Sequence, residues 1–298
     1  MSTFVLLTIT GLGLGAMYFL VASGLSLIYG LMGVLNFAHG AFITFGAYAA
    51  WWLTTQVSTS FEGELLLATG FALVVGALLG IVVEVVFIRP LYRRPVEQVL
   101  VTVGLALSLG ALVFGIWGAD AKFFSLPDWM VDTTTILGAN IPNDRFIEIG
   151  IAAVVLAGLV AFLRFTRIGL IIRAGVENRG MVSALGIDVR RAFTLVFALG
   201  GALAALAGVL SGVYFGSIDP TRGTNLLIFA FIVVVIGGFG SIEGSALAAV
   251  VVGLVQQYAN YYVADWLDWS GAGDVSVMLL LATVLLVRPT GLAPKVAH

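Results

Sequence analysis

The residues of this chain that could engage a partner are concentrated in one segment, 164–191. Six arginines lie there among small and apolar residues, with long hydrophobic runs on both sides: Arg164, Arg167, Arg173, Arg179, Arg190 and Arg191. A membrane protein keeps positive charge of this kind on its cytoplasmic side. A loop that only fixed the topology would need charge but no particular order of residues. The alternation of charged and apolar positions therefore predicts a surface that docks onto another protein.

A short docking helix is predicted inside this segment, over 174–185, with Gly186 as its C-terminal stop. Charged side chains suit a polar interface, and small residues allow the partner to approach closely. The residues expected to form this interface are Arg173, Glu177, Asn178, Ala184, Leu185, Gly186 and Asp188. A plain loop that fixes the topology by its positive charge is the alternative interpretation.

A second candidate site is the stretch 29–40, where glycines and two polar residues interrupt a hydrophobic run. Glycines weaken a helix, and the Asn36 and His39 side chains can satisfy the backbone groups that a break sets free. Broken helices often line transport paths. We therefore name Gly33, Asn36, His39 and Gly40 as candidates for lining or gating a path. The alternative is that Asn36 and His39 bond helices together or cap the second helix, and the two roles are compatible.

The glycine-rich stretch 237–245 looks like a phosphate-binding loop, but it lacks the lysine and the strand–helix context of such loops. We interpret it as a tight turn between two membrane spans. Glu243 within this turn is expected to bind a neighbouring loop.

Catalytic and metal chemistry has few candidates in this sequence. Only two histidines, His39 and His298, and no cysteine are present, so no His/Cys metal cluster is expected. The only lysines are Lys122 and Lys295, and neither belongs to a nucleotide-binding P-loop. No nucleophile–base pair is apparent. We expect a chain that is no enzyme and holds no cofactor or metal, and any energy for uphill transport must come from a partner.

Composition places the chain in a lipid bilayer. It has 298 residues, of which 60% are hydrophobic and 10% charged, whereas soluble domains are about one quarter charged. The formal net charge is −2, so no basic field attracts nucleic acid. Glu84 is the one acidic residue expected well inside an apolar run, where it can pair with Arg89.

Nine uncharged or nearly uncharged runs are candidates for membrane spans, since about 20 apolar residues cross the hydrocarbon layer. They cover 4–28, 32–54, 65–88, 97–117, 146–163, 192–215, 225–239, 246–264 and 275–287. Helices are expected, because a backbone in lipid must satisfy its own hydrogen bonds. The prediction is an all-α polytopic bundle of eight to ten spans that forms one transmembrane domain over 1–298, with a re-entrant 225–245 as an alternative.

The distribution of lysine and arginine sets the predicted orientation. With 164–191 inside, the basic residues on the inner side are the six arginines above together with Arg89, Arg93, Arg94, Arg288 and Lys295. The opposite orientation would place most of the lysine and arginine residues on the outer side, so we reject it. The N-terminus is then periplasmic and the C-terminus cytoplasmic. The outer segments are acidic, with Asp144 and Glu148 counted among them, and the longest, 118–145, gives no signal for a substrate.

Four stretches of the chain carry a family resemblance. They are YGLMGVLNFAHGAFITFGAY, Glu84 with Arg89-Pro90-Leu91, RAGVENRGMVSALGIDVRRAFTLVFALGGALAALAGVL and GGFGSIEG. In this order they resemble the permease subunits of branched-chain amino acid ABC importers, and more narrowly the shorter of the two permeases in such systems. The resemblance implies a heterodimer with a second permease, two cytoplasmic ATPase subunits and a periplasmic substrate-binding protein. It also implies that 173–188 is the coupling loop that seats in the ATPase.

The function expected from this resemblance is translocation across the bacterial inner membrane, with ATP hydrolysed on a partner chain. The substrates would be branched-chain or other small amino acids, or related solutes such as urea and short amides. A self-contained channel or facilitator for a small neutral solute fits the scarcity of buried charge, but not the ordered inner loop. A membrane-embedded enzyme or assembly factor ranks last.

Overall fold

The computed structural model describes residues 2–33, 35–57, 63–124, 126–177, 181–182, 186, 189–263, 266, 269 and 271–293. The described chain is almost entirely helical. Its helices are α1 (Ser2–Met32), α2 (His39–Gln56), α3 (Glu64–Val82), α4 (Pro95–Trp117), α5 (Asp128–Val131), α6 (Asn143–Phe165), α7 (Arg167–Glu177), α8 (Val189–Phe215), α9 (Arg222–Gly237), α10 (Ile242–Tyr258) and α11 (Ala272–Val287). Helix α3 continues as a π-helical turn over Val83–Ile88 and a 3-10 turn over Arg89–Leu91, and α10 as a π-helical turn over Ala259–Val263.

Several of these helices have the length and composition of membrane spans, which confirms the prediction of a helical multi-pass membrane protein. In the described residues six stretches are long and apolar enough to cross a bilayer: Ser2–Gly30, Glu64–Leu91, Pro95–Trp117, Asn143–Phe165, Arg190–Phe215 and Ile242–Val263. Helices α9 and α11 are also apolar but shorter. Each predicted run overlaps one helix, although the second helix begins at His39 and not at position 32. The count of nine spans stays a prediction.

Connecting segments meet at one end of the bundle, which we call the outer end. Lys122 pairs with Ile218 in an antiparallel β-bridge, which joins the segment before α5 to the segment before α9. Arg145 Nη2 donates to the Tyr214 backbone oxygen at 3.3 Å, which joins the start of α6 to the end of α8. These contacts place the segment 118–145 and the connection between α8 and α9 on the same side.

Other connections meet at the opposite end, which we call the inner end. Arg164, near the end of α6, pairs with Glu243 at the start of α10. The Leu292 backbone N–H donates to the Ile236 oxygen at 2.8 Å, so the segment after α11 folds against the end of α9. Helices α6 and α8 each run the whole distance between the two ends.

Close approach of helix backbones holds the centre of the bundle together. Helix α1 packs along α10, and α8 packs against α2 and α3. A Cβ added at Gly208 of α8 would lie 2.0 Å from the Ile43 carbonyl oxygen of α2. A Cβ added at Gly253 of α10 would lie 2.4 Å from the Gly15 nitrogen of α1. Only glycine permits these distances, and small residues of this kind are how helices pack tightly in lipid.

The outer segment 118–145 contains a hairpin that no sequence pattern predicted. Strands β1 (Thr133–Ile136) and β2 (Ala139–Pro142) pair antiparallel, with Ile136 opposite Ala139. The two turn residues, Leu137 and Gly138, have φ of 50° and 80°. Two positive φ angles are the backbone twist that a two-residue hairpin turn requires.

The predicted docking helix 174–185 stays a prediction, because 178–180 and 183–185 lie outside the described residues; Met181 and Val182 within it are helical. A helix that was not predicted separately, α7, begins before it at Arg167, and Ile171 and Ile172 give α7 an apolar face that packs toward α6, α1 and α8. Arg173 lies exposed on it, and the helix ends at Glu177. Gly186 has φ of 77°, the conformation expected of a helix stop. The predicted coupling residues Asn178, Ala184, Leu185 and Asp188 lie outside the described residues.

Candidate functional site

The chain breaks between α1 and α2 where its glycine and polar residues predict a break. Gly33 follows the last residue of α1 with φ of 67°, a left-handed conformation that favours glycine. Asn36 Oδ1 accepts a hydrogen bond from the Ala38 backbone N–H at 3.1 Å. The amide side chain thus satisfies a backbone group that the interrupted helix leaves free.

His39, the first residue of α2, lies fully buried within the bundle. Its Nε2 lies 3.1 Å from the Val21 backbone oxygen of α1. On the next residue, a Cβ added at Gly40 would lie 3.0 Å from the Gly223 oxygen of α9. Val21 is in the interior of α1, so α2 begins partway through the bundle and not at its inner end. The chain therefore re-enters the bundle before α2 starts.

Two polar atoms at this break have no hydrogen-bond partner in the described part of the chain, Asn36 Nδ2 and His39 Nδ1. Buried polar atoms without partners are rare and call for an explanation such as water, ligand or a moving element. Asn36 also lines a cavity of about 220 Å³, together with Leu25, Phe37 and Thr224. The structure therefore brings Asn36 to an open space, packs His39 and Gly40 between helices, and leaves Gly33 exposed at the turn.

Helix α9 presents a polar stripe at the surface of the bundle. Thr221, Thr224 and Asn225 are exposed at and after its start, and Ile228 follows one turn later. An asparagine exposed to lipid tails on an apolar helix is costly. The stripe is better suited to a protein partner or to water than to hydrocarbon.

At the inner end, the glycine-rich turn is joined to α6. Arg164 Nη2 donates to Glu243 Oε1 at 2.5 Å, which confirms that Glu243 binds a neighbouring segment. Arg173 of α7 lines the same cavity of about 210 Å³ as these two residues. Both side chains of the pair are more than half exposed, so the pair adds little stability. Its consequence is positional, since it joins the end of α6 to the start of α10.

Glu84 is fully buried in the π-helical turn that extends α3, and three side chains satisfy it. Arg89 donates to both carboxylate oxygens, from Nε at 3.1 Å and from Nη2 at 2.8 Å. Thr194 of α8 accepts from Arg89 and lies 2.9 Å from Glu84 Oε2. The Tyr92 hydroxyl donates to the same carboxylate. The predicted pairing of Glu84 with Arg89 is confirmed, and the cluster also ties α3 to α8.

Tyr92 stays a hydrogen-bond donor in this cluster. Burial, and then its hydrogen bond to the Glu84 carboxylate, raise the pKa of the Tyr92 phenol above its ordinary value. The hydroxyl therefore keeps its proton at neutral pH.

A second ionic cluster lies buried near the outer end, and the sequence-based expectation missed it. Glu148 was counted with the outer acidic residues, but it is fully buried in α6. Arg145 Nη1 lies 3.1 Å from Asp144 Oδ2 and 3.8 Å from Glu148 Oε2, and its guanidinium stacks on the Tyr214 ring at 3.4 Å. The expectation that Glu148 belongs to an external segment was therefore wrong. The sequence signal that could have revealed this cluster is the three-residue spacing of Arg145 and Glu148, which places both side chains on one helix face.

Metal ligation has no candidate in the portion of the chain that the structure describes. No group of three histidine, aspartate or glutamate side chains there is placed to hold a metal ion.

Comparison with known proteins finds relatives along almost the whole chain. A family model described as branched-chain amino acid transport system / permease component matches residues 7–288. The high-affinity branched-chain amino acid transport system permease protein LivH of Escherichia coli K12 is 32% identical over 290 residues, which cover 95% of this chain and 92% of that protein. The probable branched-chain amino acid transport permease protein LivM of Methanocaldococcus jannaschii is 23% identical and covers 94% of this chain and 91% of that protein. The solved structure of PsaBC from Streptococcus pneumoniae in complex with Fab aligns with a TM-score of 0.48 at 15% identity, covering 93% of this chain and 89% of that one.

Replacing Glu84 by alanine is expected to lower the stability of the purified protein by about 2 kcal/mol or more, because three donors then lose a buried acceptor. Thermal unfolding in detergent measures this change. Glu97→Ala is the matched control, since Glu97 pairs with Arg94 at 3.2 Å but is 48% exposed. We expect this control to change stability by less than about 0.5 kcal/mol. Equal losses of stability in the two variants would contradict the argument that burial makes the Glu84 carboxylate important for stability.

Proposed function

This chain belongs to the family of branched-chain amino acid transport system permease components, and from that premise we propose that it forms half of the membrane path of an ABC importer. The match of the family model over residues 7–288 carries this proposal. The substrates are branched-chain or other small amino acids, or related small solutes such as urea and short amides. The sequence has no P-loop, so ATP is hydrolysed on a partner chain.

The proposed assembly contains a second, related permease, two cytoplasmic ABC ATPase subunits and a periplasmic substrate-binding protein. Relatives named LivH and LivM support two kinds of permease in one system. The polar stripe of α9 supports a surface that meets protein or water and not lipid. The assembly lies in the bacterial inner membrane.

The proposed orientation has nine spans, a periplasmic N-terminus and a cytoplasmic C-terminus. Two observations support it. The connecting segments gather at two opposite ends of the bundle, as alternating spans require. The inner end holds Arg89, Arg164 and Arg173, and positive charge is retained on the cytoplasmic side.

The proposed mechanism starts when ATP binding closes the ATPase pair and moves the segment 173–188. Helix α7 packs against α1, α6 and α8, so a displacement there reaches helices whose other ends form the outer end. A conversion of this kind requires a ligand with different affinity for the two states, and ATP on the partner supplies that difference. A loaded binding protein delivers substrate at the outer end.

The proposed path passes the break between α1 and α2, with Gly33, Asn36, His39 and Gly40 as its lining or gating residues. The unpartnered Asn36 Nδ2 and His39 Nδ1 support this role. A group that must exchange partners as a path opens cannot be permanently bonded to the protein.

Purification of the full chain from its native membrane tests the assembly. We expect mass spectrometry to identify a second permease, an ABC ATPase and a substrate-binding protein in the same complex. Reconstituted into liposomes, this complex should accumulate substrate only with ATP and the binding protein present. Uptake by the chain alone, unaffected by ATP depletion, would instead establish a channel or facilitator.

The coupling role of 173–188 is tested by the double substitution Ala184→Glu with Gly186→Glu. Bulky charged side chains at small positions should prevent the ATPase from seating, so substrate uptake falls about tenfold or more. ATP hydrolysis by the complex should no longer respond to the loaded binding protein. Val131→Glu, an exposed apolar position in α5 at the outer end, is the control. Normal uptake in the double variant would exclude this segment as the coupling element.

The path role of the break is tested by Asn36→Leu, a substitution of similar size that removes the amide. We expect a complex in normal yield with uptake lowered about tenfold, the scale of losing one buried hydrogen-bonding group. Asn140→Leu on the outer hairpin is the control. His39→Ala separates the two roles of its imidazole, because loss of assembly would make that residue structural, whereas loss of uptake in an intact complex supports the path.

A further inference from the structure

A polar cavity of about 390 Å³ lies toward the outer end, between α1, the end of α8, α9, α10 and α11. Its volume falls in the range of about 300–1,000 Å³ that is usual for small-molecule sites. Its polar lining includes Arg222, Asn225, Gln256, Asn260 and Asp274. No residue of α6 or of the break before α2 lines it, although Tyr214, on which Arg145 stacks, does.

The cavity has a cationic wall with hydrogen-bond donors to spare. Arg222 Nη2 pairs with Asp219 Oδ2 at 2.9 Å, and its guanidinium lies over the Phe215 ring at 4.3 Å. Arg222 Nε is buried and has no hydrogen-bond partner among the described residues. A guanidinium offers five N–H donors in a planar fork that matches a carboxylate. The stacking on Phe215 and the pairing with Asp219 fix this fork in place.

The cavity also has an anionic wall, which three helices hold in position. The Tyr18 hydroxyl of α1 donates to Gln256 Oε1 at 2.7 Å, and Gln256 Nε2 donates to Asp274 Oδ1 at 2.8 Å. Gln256 is buried, so its amide orientation is set by these two bonds. Asp274 is exposed, so its carboxylate can also accept from a bound cation.

Part of the remaining wall is apolar. Leu14, Leu226 and Phe229 form this part, and the Tyr18 ring stacks on Phe229 with centroids 5.0 Å apart. It can contact an aliphatic side chain.

We propose that this cavity binds the zwitterion of an aliphatic amino acid. The carboxylate lies on Arg222, the ammonium group on Asp274, and the side chain against Leu226 and Phe229. The inference rests on the proposed transport function and names its substrate class. Urea and short amides lack both charges, so they cannot form a charge-assisted hydrogen bond with either the spare donor of Arg222 or the Asp274 carboxylate. Selection at this site therefore favours amino acids over those solutes.

The test measures weak binding to the purified transporter complex in lipid nanodiscs, without the substrate-binding protein. Saturation-transfer NMR measures the binding of L-leucine and of two analogues. Leucinamide lacks the carboxylate of leucine, and 4-methylpentanoate lacks its ammonium group. We expect leucine to bind about tenfold or more tightly than either analogue, the scale of one hydrogen bond to a charged group. Absence of leucine binding would overturn the proposal.

Two variants that remove one charge each identify the charges. Arg222→Gln should weaken leucine binding about tenfold and abolish the advantage of leucine over leucinamide. Asp274→Asn should also weaken leucine binding about tenfold, and it should abolish the advantage of leucine over 4-methylpentanoate. As controls, Lys122→Gln and Asp128→Asn remove charges at the outer end that lie outside the cavity. Neither control should change leucine binding. Unchanged leucine binding in both cavity variants would overturn the assignment.

Assembly is checked by the yield of the complex. Where Arg222→Gln fails to assemble, Arg222→Lys replaces it, because lysine keeps the charge but loses the fork. Weaker leucine binding is then expected, and unchanged binding overturns the role of the fork.

ATP-driven leucine uptake is measured in parallel. If the complex takes up leucine but does not bind it at this cavity, only the proposed site is rejected. If the unmodified complex shows no ATP-driven uptake, the proposed function is rejected.

Discussion

Hydrocarbon supplies no hydrogen bonds, so every polar group that this chain places in its bundle needs a partner within the protein. Helices meet this requirement for the backbone, and close packing of glycine at positions such as Gly208 and Gly253 lets the helices seal against one another. Buried charges meet it through clusters. Glu84 is surrounded by three donors from two parts of the chain, and the same bonds that satisfy it also fix α3 against α8.

Exceptions to this rule occur in several parts of the described structure. The atoms without a hydrogen-bond partner include both carboxylate oxygens of Glu148 in the ionic cluster of α6 and, in segments that contact or form α9, Asn36 Nδ2, His39 Nδ1 and Arg222 Nε. Cavities lie beside Asn36 and Arg222. Buried polar atoms without partners are costly for stability. Their position beside cavities and beside the exposed polar stripe of α9 is the reason why we propose the path there.

Most of the helices were predictable because length and hydropathy respond to the thickness of a bilayer. The apolar runs matched helices within a few residues, and the glycine–asparagine–histidine pattern marked the break between α1 and α2 correctly. The elements that were not predicted have ambiguous local patterns. Helix α7 depends on isoleucines that pack on other helices, and the outer hairpin depends on a two-residue turn with positive φ at Leu137.

The sequence by itself determined the membrane environment, the helical class, the break before His39 and the pairing of Glu84 with Arg89, since these follow from composition or from residues close along the chain. Tertiary structure alone decided which distant groups meet. Thr194 joins Glu84 across 110 positions, and Tyr18, Gln256 and Asp274 align from three helices. Glu148 became a buried charge only because α6 faces inward there. Helix rotation and depth set these contacts, and packing against neighbours fixes both.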